Sequence, residues 1–162
     1  MEKRISKSLM GVVIVAMVIC AVHIVHLMLQ SWFTSGIDGS TGEINWNEDV
    51  LTFQIIVFGC RLLFNVAYNI FIILFLIKSL KALKEGTLFP KGNVALLYAT
   101  AGCFFIGKLC DDNFGNILLT DTPTCSRFEI ETGGILITLM FIIFAMIYKI
   151  AVNVSEENNL TI

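Results

Sequence analysis

Acidic residues are absent from the four longest apolar runs of this chain, at residues 9–29, 51–77, 94–109 and 133–154. Charged residues are also scarce overall, at 15% of the sequence, whereas soluble domains carry about a quarter. A membrane-spanning helix needs roughly 20 apolar residues. Three of the runs reach that length, and the third reaches it once its flanks are included. This shortage of charge excludes an ordinary soluble domain and predicts an integral membrane protein.

The runs do not alternate between polar and apolar residues, as the strands of a membrane barrel would. They therefore predict an all-α fold, a single-domain four-helix bundle within the lipid bilayer. The first run is too long for the core of a signal peptide and has no cleavage site after it, so we expect a retained helix. We expect helices at about 8–30, 51–78, 92–110 and 133–154, loops at about 31–50 and 111–132, a hairpin at about 79–91 and a tail at 155–162.

Basic residues near the helix ends predict the orientation, because Lys and Arg accumulate on the cytoplasmic side. Eight of them fall on one side of a four-span arrangement: Lys3, Arg4, Lys7, Lys78, Lys81, Lys84, Lys91 and Lys149. The opposite side has only Lys108 and Arg127, together with two acidic loops. Both termini are therefore expected in the cytoplasm, with the loops outside.

Several catalytic and transport motifs are missing. The chain has no Cys-x-x-Cys, no phosphate-binding loop and no His-Glu-x-x-His. An acid inside a span often relays protons in coupled transporters, and none is expected here. The net charge of −2 gives no nucleic-acid footprint. We expect neither an enzyme nor a bound cofactor or metal, and no direct contact with nucleic acid.

Five cysteines leave two interpretations open. Cys20 and Cys103 fall inside helices as packing residues, and Cys60, Cys110 and Cys125 fall at or beyond the outer interface. A Cys110–Cys125 disulfide would close a short loop in an oxidising compartment. The alternative is that all thiols are free.

A polar layer is predicted near the outer surface. Arg61, Asn65 and Asn69 are spaced by four residues, so they follow one stripe of the second helix into the membrane. An Asn in hydrocarbon usually hydrogen-bonds to other helices. The stripe is either structural or part of a ligand path. Lys108 falls at the same depth on the third helix, where a long cation can reach the interface.

His23 and His26 lie on one face of the first helix at the same depth. Their spacing permits joint metal or haem ligation. The other helices have no histidine to complete such a site, so we expect interfacial histidines, with ligation as the alternative. On the third helix, Ala99, Cys103 and Gly107 recur every four residues, which predicts a closely packed central helix.

Two charged segments, the first basic and the second acidic, carry a resemblance to a known family. The first runs from Lys78 to Asn93 and contains Gly86-x-x-Phe89 followed by Asn93. The second is the ending Glu156-Glu157-Asn-Asn-Leu160-Thr161-Ile162. With four spans, they resemble the bacterial membrane family called domain of unknown function 2975. The chain departs from that pattern at Pro90, where the family has Ser or Thr, and after Asn93, where it has basic residues.

The resemblance implies a bacterial plasma membrane protein and a cytosolic helix-turn-helix regulator as partner. We expect Gly86 to end the second helix, Phe89 to anchor in the interface and Asn93 to cap the third helix. The tail folds against the basic hairpin or is read by the partner. The favoured function is a regulatory, sensory or scaffolding protein. The alternatives are a small transporter or ligand-binding bundle, and a thiol-redox membrane protein.

Overall fold

A computed structural model describes residues 2–34, 44, 46–85, 89–119 and 128–160, without the side chains of residues 2–9, 30–34 and 158–160. Within these ranges the chain forms four α-helices and no strand. They are α1 (Glu2–Thr34), α2 (Leu51–Lys84), α3 (Gly92–Leu118) and α4 (Thr132–Leu160), with a short 3-10 helix at Glu48–Val50 before α2. The predicted all-α class is confirmed.

Each helix is long and apolar enough to cross a membrane. Mean hydropathy is highest in α1, at 2.8, and lowest in α3, at 1.4. The helices have 33, 34, 27 and 29 residues in chain order, so they are about 40 to 50 Å long. Because the hydrocarbon core of a bilayer is about 30 Å thick, every helix is longer than the core is thick.

The helices pack in chain order. Among the described elements, α1 packs against α2 alone, α2 packs most extensively against α3, and α4 packs against α3. Helix α1 uses one stripe for this contact, with Leu27 buried on it and His23 and Ile24 half-buried one turn earlier. Most of the other described large apolar side chains of α1 are exposed, as expected for a lipid-facing surface, and Met10, Val13 and Met17 are half-buried.

Two apolar clusters close the opposite ends of the bundle. One joins the segment before α2 to the ends of α2 and α3, through Ile44, Val57, Phe114, Ile117 and Leu118. We call this the polar end, because Arg61 and Asp111 lie beside it. The other joins α3 and α4 through Leu97, Ala145, Tyr148 and Val152. We call this the hairpin end, because it adjoins Lys91 and Asn93.

Every helix extends beyond its predicted bounds at one end or both. Helix α2 runs to Lys84 rather than 78, α3 to Leu118 rather than 110, and α4 to Leu160 rather than 154. Helix α1 runs from Glu2 to Thr34 rather than from 8 to 30. Apolar runs mark only the part of a helix that suits lipid, whereas backbone hydrogen bonds continue through polar turns. The extension of α3 places Asp111 and Asp112 in the same helix as the third apolar run, in the turns that follow it.

Helix α3 is the most buried of the four spans, as the small residues predicted. The buried face differs in part from the predicted stripe. Gly107 is buried, but Ala99 and Cys103 are half-buried and Gly102 is exposed. At Gly107 a Cβ atom would lie 3.1 Å from the Asn65 side chain, so this glycine lets α2 and α3 approach closely.

Candidate functional site

The buried face of α2 is polar. Gln54, Arg61, Asn65 and Asn69 are all buried and fall on one stripe, together with Val57. In Asn65 and Asn69 the side-chain amide donates to the backbone carbonyl four residues earlier, at 2.9 and 2.8 Å. These bonds fix the two amides against their own helix. Their other atoms then face α1 and α3, as predicted for Asn in a span.

Arg61 pairs with a carboxylate of α3. Its Nε donates to Asp111 Oδ1 at 2.6 Å, and its guanidinium carbon lies 4.1 Å from the centre of the Phe114 ring. Asn65 Nδ2 donates to the second oxygen, Asp111 Oδ2, at 3.1 Å. Both carboxylate oxygens of Asp111 are therefore engaged by α2. The pair offsets the cost of placing either charge among apolar helices.

His23 joins α1 to this stripe. Its Nδ1 lies 3.1 Å from the Tyr68 hydroxyl and 3.2 Å from Asn69 Nδ2. Asn69 Oδ1 lies further from the same nitrogen, at 3.4 Å. The Tyr68 ring is in turn packed edge-on against Phe104 of α3. One imidazole thus connects the lipid-exposed helix to the polar interior.

A cavity of about 360 Å³ lies among α1, α2 and α3 at this level, and we call it the polar cavity. It is lined by His23, His26 and Leu27 from α1 and by Arg61, Asn65 and Tyr68 from α2. Phe104, Lys108, Asp111, Phe114 and Gly115 of α3 complete the lining. The structure therefore brings four predicted site residues, His23, His26, Arg61 and Asn65, to one cavity. Asn69 lies below it, bonded to His23.

Lys108 is held on the α4 side of α3. Its Nζ pairs with Asp112 Oδ1 at 2.6 Å and with Glu131 Oε2 at 2.5 Å. Asp112 Oδ2 also accepts from the Glu131 backbone N–H at 3.2 Å. The chain of Lys108 passes so close to Gly134 that a Cβ atom there would lie 2.7 Å from its Cγ. Lys108 is therefore an ion-pair centre that joins α3 to α4, rather than a cation reaching only for the interface.

Asn113 fixes the segment before α4 in a different way. Its Nδ2 donates to the Glu129 carbonyl and its Oδ1 accepts from the Glu129 N–H, both at 2.8 Å. The side chain is almost fully buried. Together with Lys108, it ties the start of α4 to the polar end of α3.

The hairpin end has its own polar centre. Asn93 is fully buried, and its Nδ2 lies 2.8 Å from Ser79 Oγ and 3.3 Å from the Tyr148 hydroxyl. Its Oδ1 is buried without a hydrogen-bond partner among the described residues. The expectation that Asn93 caps α3 is wrong, because Lys91 precedes the helix and Asn93 lies in its first turn. Its side chain turns inward and joins α2, α3 and α4.

Phe89 and Glu156, from the two segments that carry the predicted resemblance, lie at the same end. Phe89 packs edge-on against Tyr148, with ring centres 5.5 Å apart, so it contacts α4 as well as the surface. Tyr148 itself is buried. Glu156 Oε1 lies 2.7 Å from Lys91 Nζ, and Glu157 is exposed nearby. Gly86, Thr161 and the Leu160 side chain lie outside the described residues.

Cys20, Cys60, Cys103 and Cys110 form no disulfide with one another. Cys125 lies outside the described residues, so a Cys110–Cys125 bond stays a prediction. Within the described part of the chain, no group of three or more His, Cys, Asp or Glu side chains is arranged to hold a metal ion. His23 and His26 line the polar cavity, but among the described residues they are not part of such a group.

Sequence reasoning missed three contributors to the site: Asp111, Tyr68 and Gln54. Gln54 lies seven residues before Arg61, so extending the polar stripe of α2 by two turns would have found it. Its Nε2 donates to the Ile117 carbonyl at 2.8 Å and its Oε1 accepts from the Asn47 N–H at 2.9 Å. Asp111 was assigned to a loop because the apolar run ends before it. Nothing in the sequence marks Tyr68 as the partner of His23.

Comparison with family models, with curated proteins and with solved structures found no match to this chain. The resemblance to domain of unknown function 2975 therefore stays a prediction. The chemistry of the site is what the geometry itself provides: a paired charge, two imidazoles and a phenol around a cavity within a bundle of helices long and apolar enough to span a membrane.

Proposed function

We propose that this chain is a non-catalytic sensory protein of a bacterial plasma membrane, which recognises a small molecule in the polar cavity. The observation that carries the proposal is the cavity itself. At about 360 Å³ it falls in the range of small-molecule sites, which are mostly apolar pockets with a few convergent polar groups. Polar groups deep in a membrane protein are costly and usually functional.

Recognition is favoured over transport by the contrast between the two ends. The cavity lies at the polar end, among α1, α2 and α3. At the hairpin end, Asn93 and Phe75 bring α2, α3 and α4 together around Tyr148. A transporter must open its site alternately to both sides. This closed inner end supports a site that is reached from one side only.

A regulatory role on the cytoplasmic side is supported by one further contact. The two family segments are more than sixty residues apart in sequence, yet Lys91 and Glu156 form an ion pair. We propose that the polar end faces outward and that both termini are cytoplasmic. The hairpin and the last turns of α4 then form one surface for a cytosolic helix-turn-helix regulator.

Filling the cavity tests the proposal. Gly115 lines the cavity, and a Cβ atom at this position would meet nothing within 4 Å, so Gly115→Leu places a side chain in the space of a ligand. Gly102→Leu is the matched control, because Gly102 is on the same helix, also has open space and does not line the cavity. We expect mass spectrometry of extracts from purified protein to find a molecule with wild type and Gly102→Leu but not with Gly115→Leu. The same set of molecules with all three proteins would contradict the proposal.

A further inference from the structure

The groups around the polar cavity also indicate what kind of molecule it takes. We infer that the ligand is uncharged, with an aromatic body and a carbonyl oxygen that accepts a hydrogen bond from the imidazole N–H of His23. This inference rests on the proposed function and goes beyond it by naming the ligand class.

The first argument is that the charges around the cavity are already paired. Arg61 and Asn65 donate to the two oxygens of Asp111, so this carboxylate is occupied. The Lys108 ammonium is neutralised by two carboxylates of its own. A charged ligand would give up its hydration and meet no unpaired counter-charge among the described residues of the lining, which is unfavourable where the dielectric is low. An uncharged ligand avoids that cost.

The second argument is a hydrogen-bond donor that lacks an acceptor. Asn69 Nδ2 donates to the Asn65 carbonyl at 2.8 Å, which identifies it as the amide nitrogen, and it also lies 3.2 Å from His23 Nδ1. His23 Nδ1 is therefore an acceptor, and we assign the proton of the neutral ring to Nε2. Among the described residues this Nε2 N–H has no hydrogen-bond partner, although His23 is half-buried and lines the cavity. A carbonyl oxygen of the ligand supplies the missing acceptor.

The third argument concerns the body of the ligand. Tyr68, Phe104 and Phe114 line the cavity, and Leu27 adds a further apolar side chain. Tyr68 and Phe104 pack edge-on, with ring centres 5.5 Å apart. Because aromatic rings favour other rings in edge-on or offset arrangements, a ring in the cavity would continue this packing. A volume of about 360 Å³ accommodates one ring with a short substituent.

Four probes of similar shape separate charge from hydrogen bonding. Acetophenone is uncharged and has a carbonyl, ethylbenzene lacks the oxygen, and benzoate and benzamidinium are an anion and a cation. The full-length protein in phosphatidylcholine nanodiscs is titrated with each probe while thermal unfolding is followed, and only binding that Gly115→Leu abolishes is counted. We expect acetophenone to bind about fivefold more tightly than ethylbenzene, because it adds one neutral hydrogen bond. Both charged probes should bind about tenfold more weakly than acetophenone.

His23→Phe is the principal variant, because it keeps a ring on α1 and removes the N–H. The ratio of acetophenone to ethylbenzene affinity, compared between wild type and variant, cancels lipid partition and any general loss of stability. We expect this ratio to fall from about five to about one in His23→Phe. It should stay at about five in the control Tyr98→Phe, because Tyr98 is exposed on α3 and does not line the cavity.

Three results would overturn the inference: no binding of acetophenone, tighter binding of either charged probe than of acetophenone, or equal ratios in wild type and His23→Phe. The first two need wild type and Gly115→Leu alone, so they test the inference even if His23→Phe does not fold.

The result separates this inference from the proposed function. If Gly115→Leu displaces a co-purified molecule that carries a charge, the cavity is a binding site and only the ligand class is wrong. If Gly115→Leu displaces nothing, the proposed function itself fails.

Discussion

At the scale of single residues, two features organise the interior of this protein. One is its buried side-chain amides, and the other is the glycines whose missing Cβ leaves room for a neighbouring side chain. Gln54, Asn65, Asn93 and Asn113 are buried, and each bonds to a group on another segment. Such bonds between membrane helices contribute modestly, about 0.6 kcal/mol each on average. Their main effect is to fix which helix faces meet, because each amide has a partner at only one register.

Two adjacent glycines at the start of α4 give a residue-scale prediction. Alanine at either position gains about 0.5–1 kcal/mol of helix propensity. At Gly133 the new Cβ meets only ordinary contacts, 3.6 Å from Glu131 Oε1. At Gly134 it would lie 2.7 Å from Lys108 Cγ, close to the α3 backbone, so Lys108 must move away from Asp112 and Glu131.

We therefore expect Gly133→Ala to be neutral or stabilising, and Gly134→Ala to lower the free energy of unfolding by about 1–3 kcal/mol. Unfolding in mixed micelles, followed by helical circular dichroism, measures both. Equal stability of the two variants would show that Lys108 does not need its position over Gly134.

At the scale of helices, the sequence predicted the features that depend on apolar residues, such as the number and position of the helices. It did not predict the features that depend on polar groups, such as the helix ends. Four apolar runs were sufficient to place four helices. The polar stripe of Arg61, Asn65 and Asn69 was also predictable, since spacing alone puts these residues on one face. The helix ends were not, because a polar turn in water looks the same in sequence whether it is helical or coil. Asp111 was missed for that reason.

Partner choice was the other limit at this scale. From the sequence, Arg61 could have paired with an acid from either of the two acidic loops or with none, and His23 could have bonded to any polar group at its depth. Which pairs form depends on how α1, α2 and α3 are rotated against each other. That rotation is set by packing at positions such as Gly107, where a Cβ atom would press on Asn65.

The last turns of α4 give a prediction at the element scale. Deleting residues 156–162 should abolish co-purification of a cytosolic partner while the protein still inserts, because the deletion removes one side of the proposed docking surface. Affinity purification from membranes, followed by mass spectrometry, measures this. Glu156→Gln with the full tail is the control, since an exposed ion pair contributes only about 0–1 kcal/mol. An unchanged set of co-purified proteins after the deletion would count against a partner at this surface.

At the scale of the whole molecule, α2, α3 and α4 form the body and α1 is attached along one seam. The body is tied at both ends by polar groups, Lys108 at one and Asn93 at the other. Helix α1 is joined to it by apolar contacts such as Leu27 and by the His23 hydrogen bonds. The polar cavity lies where this attachment meets the body.

Orientation is the prediction for the whole molecule. Alkaline phosphatase, which is active only outside the cytoplasm, should be active when fused after residue 130 and inactive when fused after residue 162. The excess of Lys and Arg at the hairpin end is the physical reason. A fluorescent protein that folds only in the cytoplasm should give the opposite pattern. Activity of the phosphatase at residue 162 would reverse the proposed orientation.

The ion pair between Arg61 and Asp111 bears on how the chain enters the membrane. Helices α1 and α2 are apolar enough to partition into lipid by themselves, with mean hydropathies of 2.8 and 2.1. Helix α3, at 1.4, carries Lys108, Asp111 and Asp112, and each charge resists insertion. During synthesis α2 leaves the ribosome before α3, so Arg61 is already in place when Asp111 emerges. The order of the helices along the chain thus supplies the counter-charge before it is needed.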